Sequence, residues 1–176
     1  DLIDQENTEG NRRDFRQALF DTDGVEDYIS GVILFEETLT QKARDGTRLS
    51  KILESKGIYP GIKVDKGAHP MDSSSSEKLT KGLDGLYERC LEYYEQGARF
   101  AKWRAVITIG DGIPTDECIH ANASALGMPT AGTSVTGDAA VLTILYGSQT
   151  GNAKGVATQM KEQAEKVGTI IHNDLI

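Results

Sequence analysis

Apolar and polar positions follow two periods along this chain. Phe15, Ala18 and Leu19 recur at helical spacing behind Asn7 and Thr8, which can cap a helix. Residues 31–35 (GVILF) predict a short buried strand, and Glu36, Glu37 and Thr38 fall where the next loop should begin. Arg44, Asp45 and Gly46 predict a turn, Leu49, Ile52 and Leu53 a short helix, and residues 62–64 a second strand. Residues 68–81, with four consecutive serines, predict a solvated loop or an ordered loop over a site, since they leave the end of a charged strand. Leu83, Leu86, Cys90 and Tyr94 share one side of a helix that stops at Gly97. A strand over residues 97–109 follows, Gly110 to Pro114 break the chain, and a helix begins at Glu117. Strands and helices thus alternate strictly, which implies an α/β fold with parallel strands and right-handed crossovers. A closed barrel and an open doubly wound sheet both satisfy that order.

The pattern changes at residues 127–138, where small, polar and turn-forming residues predict a linker. A fresh strand is expected over 139–146. It leads through Gly147, Ser148, Gln149, Thr150, Gly151 and Asn152 into an amphipathic helix, with Ala153, Val156, Ala157, Met160, Ala164 and Val167 on one face. Gly168 stops that helix, and residues 169–172 can begin another strand. The expected organisation is residues 1–126, a linker at 127–138, and a final segment at 139–176.

Two strands carry charges that a buried strand does not tolerate without a partner or a solvated cavity. Lys102 and Arg104 lie two residues apart and so share a face, with Trp103 between them on the other. Upstream, Lys63 and Asp65 share a face while Ile62 and Val64 share the opposite one. Two such pairs point to an anion pocket at strand C-terminal ends. The plainer reading of either pair is a strand end whose charges reach water.

Charge and composition narrow the ligand. Nineteen basic residues against 27 acidic ones give a net charge of −8, which argues against nucleic acid as the main partner and favours a small anionic ligand. No apolar run is long enough for a membrane span, and the polar start does not read as a secretory signal. The two cysteines, Cys90 and Cys118, and three scattered histidines have no metal-ligand spacing, so a reducing, cytoplasmic setting without a metal site is expected. The strand–loop–helix at 139–168 is a plausible anion cradle, with Ser148, Thr150, Asn152 and Ala153 as donors at the positive end of a helix. It is neither a Walker loop nor a dinucleotide fingerprint, and an ordinary capped turn has the same residue types.

Several long words give the chain a resemblance. Asn7-Thr-Glu with Asn11-Arg-Arg comes first, followed by residues 31–39 (GVILFEETL) and 61–67 (GIKVDKG). Residues 82–86 (GLDGL), 88–90 (ERC) and 97–104 (GARFAKWR) complete the set. Together they make residues 6–126 similar to class I fructose-1,6-bisphosphate aldolase. The resemblance implies part of a (β/α)8 barrel and a lyase of glycolysis that uses no cofactor. Its family reaction is reversible cleavage of fructose 1,6-bisphosphate through a Schiff base on a lysine. It also implies that Lys63, Lys102 and Arg104 bind a sugar phosphate and that Asp65 and Lys102 belong to the catalytic cluster.

No lysine in these 176 residues stands in words resembling the Schiff-base nucleophile, so the chain is expected to be inactive alone. Residues 140–168, through ILYGSQTGNA, resemble the start of the flavodoxin-like domain of diflavin reductases. That likeness implies FMN phosphate at Ser148, Gln149, Thr150, Gly151 and Asn152. An inactive chimeric α/β scaffold built from the two kinds of βα unit is a further alternative.

Overall fold

The computed structural model describes residues 5–73, 75–131, 141–146 and 170–175, together with positions 155, 158, 159 and 162. Two compact units divide the chain: Asp1–Val64 with Glu88–Lys102, and Asp65–Tyr87 with Trp103–Ile176.

The first unit is built on a three-stranded parallel sheet in the order β1 (Gly31–Leu34), β2 (Tyr59–Lys63), β5 (Phe100–Lys102). Helices α1 (Glu9–Phe20), α2 (Glu36–Thr40) and α3 (Leu49–Ser55) precede β2, and α4 (Leu86–Glu95) leads into β5. Thr8 caps α1 as its residue type predicts, its hydroxyl accepting from the Asn11 N–H at 3.2 Å. Leu34 and Ile62 face the helices and are buried with Leu39, Leu49, Leu53 and Ile58. Gly97 ends the α4 segment at φ 111°, a left-handed conformation that favours glycine.

Charged groups tie α1 to α2. The Arg12 guanidinium donates to both carboxylate oxygens of Glu37, the shortest contact being 2.7 Å, and to Asn7 Oδ1 at 2.8 Å. Arg16 donates to the same Glu37 carboxylate at 3.2 Å and to Gln41 Oε1 at 2.9 Å. The Arg12 hydrogen bond, more than any other cause, holds the Glu37 carboxyl below its usual range. Arg12 of the Asn11-Arg-Arg word, steadied by Asn7, therefore clamps α1 to α2 together with Arg16.

The second unit contains an antiparallel pair, β3 (Ala68–Pro70) with β4 (Lys78–Thr80), helix α5 (Asp116–Ala131), and parallel strands β6 (Val141–Tyr146) and β7 (Ile170–Leu175). Ile119, Ala123 and Leu126 of α5 form a core against which Trp103, Ala105 and Ile107 pack.

Several elements differ from the sequence expectation. Glu36 to Thr38 open α2 rather than a loop. Residues 68–81 contain the β3–β4 hairpin. The expected apolar stripe of α1 is exposed at Phe15 and Leu19, and Phe20 is the buried side chain. In α4 it is Tyr93 that is buried, while Tyr94 is exposed. The strand expected over 97–109 ladders only from Phe100 to Lys102, because Trp103, Ala105 and Ile107 spend their apolar surface on α5 instead of on a sheet. Helix α5 continues to Ala131, five residues into the stretch expected as a linker.

Candidate functional site

In the first unit, β2 and β5 pair in parallel with Gly61 opposite Phe100, Ile62 opposite Ala101 and Lys63 opposite Lys102. The two lysines are the last residues of their strands, and the Val64 N–H donating to the Lys102 carbonyl at 3.1 Å closes the ladder just beyond them. Because side chains alternate along a strand, Lys63 and Lys102 share the face carrying Gly61 and Phe100, opposite the helix-packed face of Ile62. The Phe35 ring lies 6.0 Å from Lys63 Nζ, at the outer limit of a cation–π contact. Arg89 donates to the Val64 carbonyl at 3.3 Å, which ties α4 to the chain just past Lys63. An open depression of about 500 Å³ lies toward the N-terminal ends of the strands, lined by Ser30, Gly31, Ile33, Tyr59, Arg99 and Phe100. The lysines stand at the other end.

In the second unit, Asp65 is buried, and its two oxygens hold backbone: Oδ1 accepts from the Gly67 N–H and Oδ2 from the Arg104 N–H, each at 3.2 Å. The Thr80 hydroxyl donates to the Arg104 carbonyl at 2.7 Å, so Arg104 is fixed through both sides of its backbone while its side chain is exposed. Lys66 and Gly67 exchange backbone hydrogen bonds with Lys81, which aligns this segment with the end of β4. At Gly82 (φ 124°) a Cβ would stand 2.9 Å from the Lys66 nitrogen, a close approach that only glycine permits.

The structure brings Lys63 and Lys102 together, and it brings Asp65 to the backbone of Arg104. It also alters the reason for these placements. Arg104 and Asp65 lie beyond the ends of β5 and β2, so strand alternation governs only the lysines. Ser148, Gln149, Thr150, Gly151 and Asn152 lie outside the described residues.

Sequence reasoning missed Glu77, which follows the four serines. Its carboxylate is buried and accepts from the Thr115 N–H at 2.7 Å and the Thr115 hydroxyl at 2.9 Å, while that hydroxyl accepts from the Cys118 N–H at 3.2 Å. Glu77 thus grips the residue preceding α5. The Thr115 backbone hydrogen bond is the main reason its carboxyl is held below the usual range. Asn122 of α5 donates to the Lys78 carbonyl at 2.9 Å, joining the same helix to β4. Burial, and then the neighbouring Glu77, pushes the Cys118 thiol up, which marks it as a packing residue rather than a nucleophile. The only available signal for Glu77 was an acid inside a small-residue run, which a solvated loop shows equally.

The family model described as fructose-bisphosphate aldolase class-I matches residues 1–135. A probable fructose-bisphosphate aldolase class 1 of Xanthomonas campestris pv. campestris is 58% identical over 121 residues, covering 69% of this chain and 36% of the relative. Fructose-bisphosphate aldolase 6, cytosolic, of Arabidopsis thaliana is 55% identical over 124 residues, covering 70% and 35%. Among solved structures, the fructose-bisphosphate aldolase of Plasmodium falciparum, in complex with TRAP and a small-molecule inhibitor, superposes with a TM-score of 0.70 at 49% identity. That match covers 74% of this chain and 38% of the parasite chain. This chain spans about a third of the length of the relatives it matches. The parallel β1–β2–β5 sheet is of the aldolase type, and the chain belongs to the class I fructose-bisphosphate aldolase family.

Proposed function

We propose that residues 1–126 carry the sugar-phosphate-binding part of a class I fructose-bisphosphate aldolase, a partial (β/α)8 barrel segment. In this reading Lys63, Lys102 and Arg104 bind the phosphates of fructose 1,6-bisphosphate. Lys102 also assists proton transfer, and Asp65 supports the cluster by holding the Arg104 backbone. The observation that carries it is the Lys63–Lys102 register at the C-terminal ends of parallel strands, the end at which α/β folds place ligands. Two ammonium groups on one face suit a phosphate dianion.

The proposed reaction class is Schiff-base aldol cleavage without a cofactor, for which the 176-residue chain supplies binding groups and no recognisable nucleophile. Borohydride reduction in the presence of dihydroxyacetone phosphate tests this: the chain should bind the phosphate without covalent trapping. Efficient trapping would identify a nucleophilic lysine and overturn the inactive reading. The relatives from Arabidopsis thaliana and Spinacia oleracea are named cytosolic and cytoplasmic, and a cytoplasmic setting is proposed here by that likeness.

For residues 139–176 the proposal is a single flavodoxin-like βα unit, after a linker that begins beyond Ala131, where α5 ends. It is supported by the sequence words around Gly147 and by the parallel pairing of β6 with β7. Titration with FMN followed by fluorescence tests it, and the absence of saturable quenching at high micromolar FMN removes FMN as a ligand.

A further inference from the structure

Two glycines lie on the lysine-bearing face of the first unit's sheet, Gly31 on β1 and Gly61 on β2. Neither has the positive φ that would call for glycine. Space calls for it instead. A Cβ on Gly61 would stand 2.3 Å from Phe100 Cζ and 2.4 Å from Cε2, and one on Gly31 would stand 3.1 Å from Cε1. The Phe100 ring therefore leans from β5 across Gly61 toward β1, occupying the space where the two missing side chains would begin, and it is 40% exposed where it lines the open depression.

Gly61 pairs with Phe100, and two residues further along each strand Lys63 pairs with Lys102. The ring layer is thus about 7 Å below the lysine layer on the same face. Beside Lys63 stands Phe35, whose strand neighbour Leu34 pairs with Ile62. A lysine stem is long and rich in rotamers, and without a filled layer beneath it can fold back along the sheet.

We propose that Phe100 is a positioning residue for the Lys63–Lys102 pair: its ring, seated in the Gly31–Gly61 gap, blocks the space below and holds both ammonium groups at the C-terminal rim. The inference rests on reading that pair as the sugar-phosphate site. It assigns Gly61, the first residue of the GIKVDKG word, to making room for the ring.

The test labels lysine Cε with 13C in the full chain and compares Gly61→Ala, Phe100→Leu and the double variant by NMR. Gly61→Ala forces the ring to move and should shift the Lys63 and Lys102 resonances, leaving Lys51, which pairs with Glu54 on α3, in place. Phe100→Leu adds no volume and should shift the same two signals. In that background Gly61→Ala should shift them less, because the clashing ring is gone. Phe100→Leu should also weaken fructose 1,6-bisphosphate binding by about tenfold through loss of orientation. Folded variants in which neither lysine signal moves would overturn the proposal, since a purely structural role for the ring leaves those signals unchanged. If the variants shift both lysines while fructose 1,6-bisphosphate shifts neither in the unsubstituted chain, the positioning role stands and the ligand reading fails.

Discussion

In the first unit, Lys63 and Lys102 reach the same level because two parallel strands lie in register, and each side chain's face follows from its place in a two-residue period. In the second unit, Arg104 and Thr115 are placed by carboxylates: Asp65 accepts from one backbone N–H and Glu77 from the other. A strand positions side chains through many cooperating backbone bonds, whereas a buried carboxylate positions one peptide through one or two. Placement in the first unit should therefore survive loss of any single polar side chain but not of its core. Placement in the second should be sensitive to single acids.

The largest expected effect is on the core that supports the registered strands. Leu53→Ala removes a side chain that is 1% exposed and should lower unfolding stability by about 2–5 kcal/mol in urea denaturation. A loss under half a kilocalorie would mean that the sheet does not depend on this packing. Asp65→Ala should cost about 1–3 kcal/mol, because it leaves the Gly67 and Arg104 N–H groups without their acceptor. Hydrogen exchange at the Arg104 amide should accelerate in that variant, while the amide of Ile62 in the registered ladder stays protected. Equal acceleration at both amides would erase the contrast between the units.

Acid should separate the units more gently. The carboxyl of Glu77 is held below its ordinary 4.5 by the Thr115 hydrogen bonds. Its stabilisation is therefore complete above pH 4.5 and is lost as pH falls through the lower folded value. In the first unit, hydrogen bonds from Arg44 and Arg13 hold Asp14 at about 2. Its contribution fades only between about pH 4 and 2 and is small, since exposed ion pairs are screened. Glu77→Gln should flatten the acid-induced fall in melting temperature just below pH 4.5, and Asp14→Asn should leave that portion unchanged. An unaltered profile for Glu77→Gln would show that its grip on Thr115 does not contribute.

The same contrast explains what the sequence disclosed. The three parallel strands were legible, since residues such as Ile62 beside Lys63 follow simple periods, whereas α2 and the β3–β4 hairpin were not. Lys63 and Lys102 stood out as candidates, because a cation in an apolar strand is costly enough to be conspicuous. The Lys63–Lys102 register was not legible, because neither strand's own pattern specifies which residue it faces. Nor was the end of β5 at Lys102: Trp103, Ala105 and Ile107 are as apolar as strand residues and their packing on α5 is a tertiary choice. Glu77 was hidden for the opposite reason, being a common polar residue whose importance lies wholly in the buried Thr115 amide it meets.

The claim that the two lysines act as one anion-binding pair is tested most directly by a double-mutant cycle of Lys63→Met and Lys102→Met, read by fructose 1,6-bisphosphate affinity at constant ionic strength. Each single substitution should weaken binding by roughly tenfold or more, as loss of a charge-assisted hydrogen bond does, and the double variant should lose less than the product of the two. A double variant that binds fructose 1,6-bisphosphate as tightly as the unsubstituted chain would contradict the account.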